Sequence, residues 1–267
     1  MKNNFNILKQ TSWSILIRIL ISGISFISIS ILLTTLGINE FGIWITISAL
    51  FASFSFVDFG LANGLRNALP KFEDDRVKSN NLIVQTFFIT IIIALIAIII
   101  FESFSFSNIL VDFLKLEYEV VELEIIIDIL FYLLIITVCV KPANAVIQAE
   151  HKSHLVSFLL LTTQALSLIG YSIISILDVE NPLLKVVLVY AITTIVINLS
   201  FCVYVIRSKI KDLNNISIYS NTVIDLLKSG LLFFVTAISY LSILQIINVL
   251  VIRNLGPSAA GEYGLYS

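Results

Sequence analysis

TLGINEFGIW, residues 35–44, and NLGPSAAGEY, residues 254–263, are one pattern written twice. Each copy has Leu-Gly, four residues, a second Gly, one residue and then a large aromatic, and Gly256 stands 219 residues after Gly37. Each also follows a long apolar run and opens another. The first glycine of each copy has a physical use. Gly37 and Gly256 can end a helix in the left-handed conformation without a Cβ penalty. Pro257 then suits the first turn of the helix that follows. Gly42 and Gly261 complete the motif. An internal repeat at this separation divides a chain into two structural units.

The intervening sequence says what those units are made of. The 267 residues are 58% hydrophobic and 13% charged, with a mean hydropathy of +1.01. A soluble domain carries about 25% charged residues, so this is the composition of an integral membrane protein. A spanning helix needs about 20 mostly apolar residues. Seven such segments stand at roughly 13–36, 41–62, 82–101, 122–144, 155–177, 183–206 and 228–252, and an eighth begins near Pro257. None alternates apolar with polar residues as a barrel strand does, so the segments read as helices that satisfy their own backbone groups. Six helices separate the two copies of the repeat. Because six is even, both copies have the same topology, as in transporters built from parallel repeats about an axis along the membrane normal.

The expected fold is therefore an all-α polytopic membrane protein. Residues 1–207 form a six-helix N-terminal lobe, residues 208–227 a polar cytoplasmic linker, and residues 228–267 the first hairpin of a second lobe. On this reading the chain is the N-terminal part of a longer two-lobe protein. Lys and Arg set the orientation. With the N-terminus cytoplasmic, the inner segments hold 12 of them and the outer loops only Lys115, Lys185 and Arg253. The N-terminus is expected inside, in a multi-pass protein of the plasma membrane. The outer loop from Glu102 to Glu124 is acidic and carries Asp112, Glu117, Glu119 and Glu122, with Asp128 just inside the next helix.

Several function classes fall away. A net charge of −2 gives no sign of a nucleic-acid partner. Cys139 and Cys202 lie deep in apolar segments and read as small hydrophobes. His151 and His154 sit three apart in a short inner loop with no ligand set around them, so no metal is expected. There is no phosphate-cradling loop and no nucleophile elbow. No enzyme activity and no cofactor are expected.

Polar groups within spanning helices mark functional sites by default. In FSFVDFGLANGLRNALPKFEDD, residues 54–75, an apolar run takes in Asp58, then Gly60, Gly64, Arg66 and Lys71. The first hairpin is expected to turn at Ile38–Asn39. Arg18 lies about 20 residues before that turn and Asp58 about 20 after it. The two should reach similar depth and pair, since a guanidinium fork suits a carboxylate. The pair either fixes the hairpin or lines a central cavity and opens when an anionic substrate competes for Arg18. Arg66, Lys71 and Lys141 are read as a cytoplasmic rim for a phosphate-bearing headgroup, or as positive-inside anchors. Gly60 and Gly64 have the spacing for close helix packing, or else they unwind the end of the second helix. Asp128 is either a carboxylate near the acidic outer surface or a protonatable coupling site. Gln164, Asn198, Gln245 and Asn248 read as interhelical hydrogen bonds.

VDFGLANGLRNALPKF, residues 57–72, resembles the segment that ends the second helix in bacterial polysaccharide-unit (O-antigen, Wzx-type) flippases. These belong to the multidrug/oligosaccharidyl-lipid/polysaccharide exporter superfamily. LGINEFGIW is similar to their first outer turn and AVIQAEHK, residues 145–152, to the end of their fourth helix. The resemblance covers essentially the whole chain. It implies two six-helix lobes around a central cavity, and alternating access that carries undecaprenyl-diphosphate-linked sugar units to the outer leaflet of the inner membrane. The products served would be O-antigen of lipopolysaccharide, or capsule. It implies lipid-linked oligosaccharide and membrane lipid as partners, with a polymerase and a chain-length regulator beside them, and coupling to a proton or sodium gradient. Two other readings compete. One is a drug or cation exporter of the same superfamily, built on Asp58 and Asp128. The other is a membrane scaffold for polysaccharide-assembly enzymes.

Overall fold

The computed structural model describes residues 2–72, 74–114, 120–177 and 179–210, and beyond 225 residues 226, 228, 230–231, 234–236, 238–239, 247 and 249–266. Lys115, Glu117, Glu119, Gln245 and Asn248 lie outside the described residues, as does most of the expected linker.

The described residues are helical almost throughout, and no strand occurs among them. Helix α1, Lys2–Ser53, is interrupted at Gly37, whose backbone is not helical (φ 69°, ψ 172°). A 3₁₀ turn, Phe54–Asp58, leads through left-handed Phe59 and Gly60 into α2, Leu61–Ala68. A second 3₁₀ turn, Leu69–Phe72, precedes α3, Arg76–Ser103, which is capped by the Asp75 side chain accepting from the Lys78 N–H. Then follow α4, Phe106–Leu114, α5, Val120–Ala149, α6, Ser153–Leu177, and α7, Pro182–Lys209. The described residues from 226 to 255 are helical, and α8, Pro257–Tyr266, ends the described chain.

Among the described residues five helical stretches are long and apolar enough to cross a membrane, and the first, Trp13–Asp58, contains 46 residues. At 1.5 Å per residue a straight helix of that length would be about 69 Å long, more than twice the ~30 Å of bilayer hydrocarbon. The break at Gly37 resolves this. The chain before it reaches one end of the bundle with Arg18, which shares a cavity with Arg66 and Gln148. The chain after it returns to that same end, where Asp58 meets Lys141 of α5. Gly37 is therefore the turn of a hairpin, one residue earlier than the expected Ile38–Asn39. Its φ is positive as expected, but its ψ is extended, so it lies in a region open essentially to glycine alone and not in the left-handed helical region.

The second expected span, 41–62, stops being α-helical at Ser53. Gly60, at φ 73°, sits at the unwound end, whereas Gly64 is buried within α2. A Cβ on Gly60 would also strike the carbonyl of Gly230, so close approach to the helix beyond residue 225 accompanies the unwinding. Helix α4 is a feature the acidic-loop reading missed. Leu110, Val111 and Leu114 are buried, and that apolar side holds α4 against α5. Pro142 lies inside α5, an accommodation that neighbouring helices make tolerable in a membrane span.

Among the described residues the core falls into two apolar clusters. One gathers around Ile47, Ile126, Leu130 and Val187. The other gathers around Leu65, Leu82, Val146 and Val205, at the end carrying the α5–α6 turn. Phe88, Leu95 and Ile99 of α3 stay exposed, as expected of a helix whose solvent is lipid. Thr86 and Thr90 sit inside the bundle because each donates to the carbonyl one turn back, on Leu82 and Thr86.

The two copies of the repeat touch each other. A Cβ on Gly42 would lie 2.8 Å from the Gly261 amide and would collide with the Pro257 carbonyl. A Cβ on Gly261 would collide in turn with the Ile38 carbonyl. Ile38 and Pro257 are equivalent positions in the motif, as are Gly42 and Gly261, so the contact is reciprocal, as two-fold-related elements make it. Only glycines let backbones cross this closely.

Candidate functional site

Between α1, α2, α5, α6 and α7 lies a cavity of about 550 Å³. One end is basic. Arg18 enters from the first limb of α1 and Arg66 from α2, whose Nη1 donates to Gln148 Oε1 of α5 at 3.2 Å. Asn144 of α5 and Ser153 and Ser157 of α6 complete this end. The far end is uncharged, formed by Ser167 and Tyr171 of α6 and Tyr190 and Thr194 of α7, with Gln164 and Asn198 between the two. Among the described residues no carboxylate lines the cavity. Two guanidinium charges, with no carboxylate on the described wall, make this end of the cavity electropositive.

The wall is built on helical spacing. Asn144 and Gln148 are four apart on α5; Tyr190, Thr194 and Asn198 are four apart on α7; and Ser153, Ser157, Gln164, Ser167 and Tyr171 recur at three, four or seven on α6. Residues so spaced share one helix face. Ser167 and Thr193 hydroxyls lie 2.8 Å apart and tie α6 to α7, while Gly170 lets Val189 pack against α6. Trp44 meets Tyr190 edge-on at 5.5 Å and holds its ring. Two lining atoms, Asn144 Oδ1 and Thr194 Oγ1, have no hydrogen-bond partner among the described residues.

The expected Arg18–Asp58 pair does not form. Asp58 is buried, accepts from the Ala62 N–H at 3.2 Å, and pairs with Lys141 Nζ at 3.0 Å. Lys141 also lies over the Phe56 ring. Equal distance from a turn fixes depth, not direction. Arg18 lies on a limb packed against α6, and Asp58 on a turn packed against α5. Asp58 and Lys141 are therefore outside the cavity lining, and so is Lys71, which is exposed on the second 3₁₀ turn. Of the five residues read as cavity or rim, the structure brings Arg18 and Arg66 together and sets the other three apart. Asp128 is half-buried near the opposite end, with Ser107, Glu102 and Glu124 for neighbours.

Outside the spans, Glu150 joins the ends of α5 and α7 through Lys209 and also pairs with Lys152 at 2.9 Å. Burial raises its pKa, but hydrogen bonds from Lys209 and Lys152 outweigh that and hold it below the ordinary glutamate value.

The sequence matches the family model described as polysaccharide biosynthesis protein over residues 7–267. No curated protein matches it. Among solved structures, an inward-facing multidrug resistance MATE-family transporter of the MOP superfamily is similar with a TM-score of 0.73 at 17% identity, over 90% of this chain and 56% of its own. A proline-to-alanine mutant of a MATE transporter is similar at a TM-score of 0.61 and 17% identity, over 96% and 56%. A MOP-superfamily transporter from Pyrococcus furiosus, whose binding pocket of reverse polarity suggests a different function, is similar at 0.61 and 16%, over 92% and 64%. At these identities the likeness is one of fold, and the chain spans less than two thirds of each transporter's length.

Proposed function

The chain belongs to the polysaccharide biosynthesis protein family, and from that membership and its cavity we propose that it serves as a flippase for undecaprenyl-diphosphate-linked oligosaccharide units. The observation that carries this reading is the pair Arg18 and Arg66 in a cavity whose described wall holds no carboxylate. Arginine forks bind phosphate oxygens with two parallel hydrogen bonds, and a diphosphate cannot enter hydrocarbon without such partners. The lipid tail can remain in the bilayer while the headgroup crosses. No bond is made or broken. An inside-negative potential favours outward movement of a negative headgroup, by about 2.3 kcal/mol per charge per 100 mV, and proton or sodium coupling can add to that, with Asp128 as the candidate carrier.

The rest of the reading goes with it. The N-terminus is cytoplasmic, residues 1–207 are the first lobe, 208–227 the linker and 228–267 the start of a second lobe. The protein sits in the bacterial inner membrane, serves O-antigen or capsule synthesis, and works beside a polymerase and a chain-length regulator. The same cavity speaks against a drug or cation exporter, since its two charges would repel a cation. A pocket of reverse polarity, as named for the Pyrococcus furiosus relative, is in keeping with a superfamily member that takes an anion.

Expression in cells lacking a polysaccharide-unit flippase tests this. The protein should restore surface polysaccharide, and Arg18→Ala and Arg66→Ala should each lower recovery at least tenfold at equal membrane levels. Full recovery by both variants would remove the arginines from the site.

A further inference from the structure

The cavity is longer than a diphosphate needs. Along α6 it runs from Ser153 to Tyr171, which at 1.5 Å per residue is about 27 Å. The two arginines with Gln148 account for the basic end alone. Toward the far end the lining carries hydroxyls, phenols and amides and no charge. Thr194 is 7% exposed, and its Oγ1 has no hydrogen-bond partner among the described residues. A buried hydroxyl left unpaired carries a free-energy penalty and calls for an explanation. Its neighbours on the wall are built to stay in place: Tyr171 is 5% exposed, and the Tyr190 ring is held by Trp44. Phenol and threonine hydroxyls beside the amides of Gln164 and Asn198 match a polyhydroxylated ring, whose hydroxyls both donate and accept hydrogen bonds.

We propose that Tyr171, Tyr190 and Thr194 form a sugar subsite, so that the substrate lies along α6 with its diphosphate at Arg18 and Arg66 and its first sugars at the far end. This rests on the flippase reading and adds the part of the substrate that confers selectivity. Uncharged walls select by hydrogen-bond pairing, because an analogue lacking the sugar leaves Thr194 Oγ1 unpaired.

The test measures binding of two probes to the purified full chain in lipid nanodiscs. One is undecaprenyl diphosphate, the other the same lipid bearing N-acetylglucosamine on the diphosphate. The glycosylated probe should bind about tenfold more tightly, equivalent to ~1.4 kcal/mol. Thr194→Val and Tyr171→Phe should bring that ratio towards one. Thr194→Ser, which keeps the hydroxyl, should retain the gain and shows that the site still folds. Arg66→Ala should weaken both probes by the same factor. A ratio of one in the unsubstituted protein, or equal weakening of both probes by Thr194→Val, overturns the subsite and leaves the diphosphate site standing. Failure of both probes to bind overturns the flippase reading, and the subsite falls with it.

Discussion

Replacing Lys141 with methionine removes the cation from Asp58 while keeping most of the side-chain volume. The Asp58 side chain is 4% exposed and the Lys141 side chain 26% exposed, at 3.0 Å. Removing one partner of a buried pair costs about 3–5 kcal/mol, because the remaining charge stays desolvated. Lys141 is partly open to its surroundings, so the low end, about 3 kcal/mol, applies here. For a chain of this size each kcal/mol moves Tm by about 2–4 °C, so the fall should be about 6–12 °C. Adding Asp58→Asn should recover most of it. The amide oxygen still accepts from the Ala62 N–H, the bond that ties the turn to the start of α2, and no uncompensated charge remains. The assay is thermal unfolding of purified protein in detergent, followed by loss of monodisperse material, for the single variants, the double variant and Arg18→Met. Arg18→Met should leave Tm within about 2 °C, in the range of a residue whose removal strands no buried partner. A fall with Arg18→Met and none with Lys141→Met would refute the reasoning and restore the Arg18–Asp58 pairing that chain distance suggests.

The crossing of the repeat and the ion cluster at the basic end offer two more measurements. A Cβ on Gly264 would stand 3.6 Å from the Ile45 Cβ, inside the roughly 3.5–4.5 Å of a disulfide. Ile45→Cys with Gly264→Cys, in a protein whose Cys139 and Cys202 are serine, should therefore cross-link under mild oxidant; both cysteines remaining free to alkylation would mean that the two copies do not meet. Glu150→Gln should lower Tm at neutral pH, since a carboxylate with a depressed pKa stabilises the fold above its ordinary value of 4.5 and loses that contribution as pH falls below it. The gap between variant and parent should close under acid, and a gap that persists there would assign Glu150 a role unrelated to its charge.

Some of the fold can be read from the chain alone, for reasons specific to membranes. Lipid leaves no alternative to internally satisfied helices or closed barrels, so runs such as 82–101 and 183–206 announce themselves, and the structure finds helices there with extended ends. The repeat could be read because backbone crossing admits only glycine, and Gly42 and Gly261 are the residues that cross. Arg18 could be singled out because a charge in a spanning segment is rare, and Arg66 only as one of the basic residues that gather at the cytoplasmic rim. The hydroxyl and amide wall was written too, as stripes on α5, α6 and α7, but such residues are as often tied to their own helix: Asn198 donates to the Thr194 carbonyl at 2.8 Å. Spacing shows that they share a face; it does not show what that face meets. The same limit explains Asp58. Sequence separation sets how deep a side chain lies, whereas its direction depends on which helices pack against it, so hydropathy and glycine placement determined the spans and the crossing, and only the packing of the turn after α1 against α5 decided that Lys141, and not Arg18, holds the buried carboxylate.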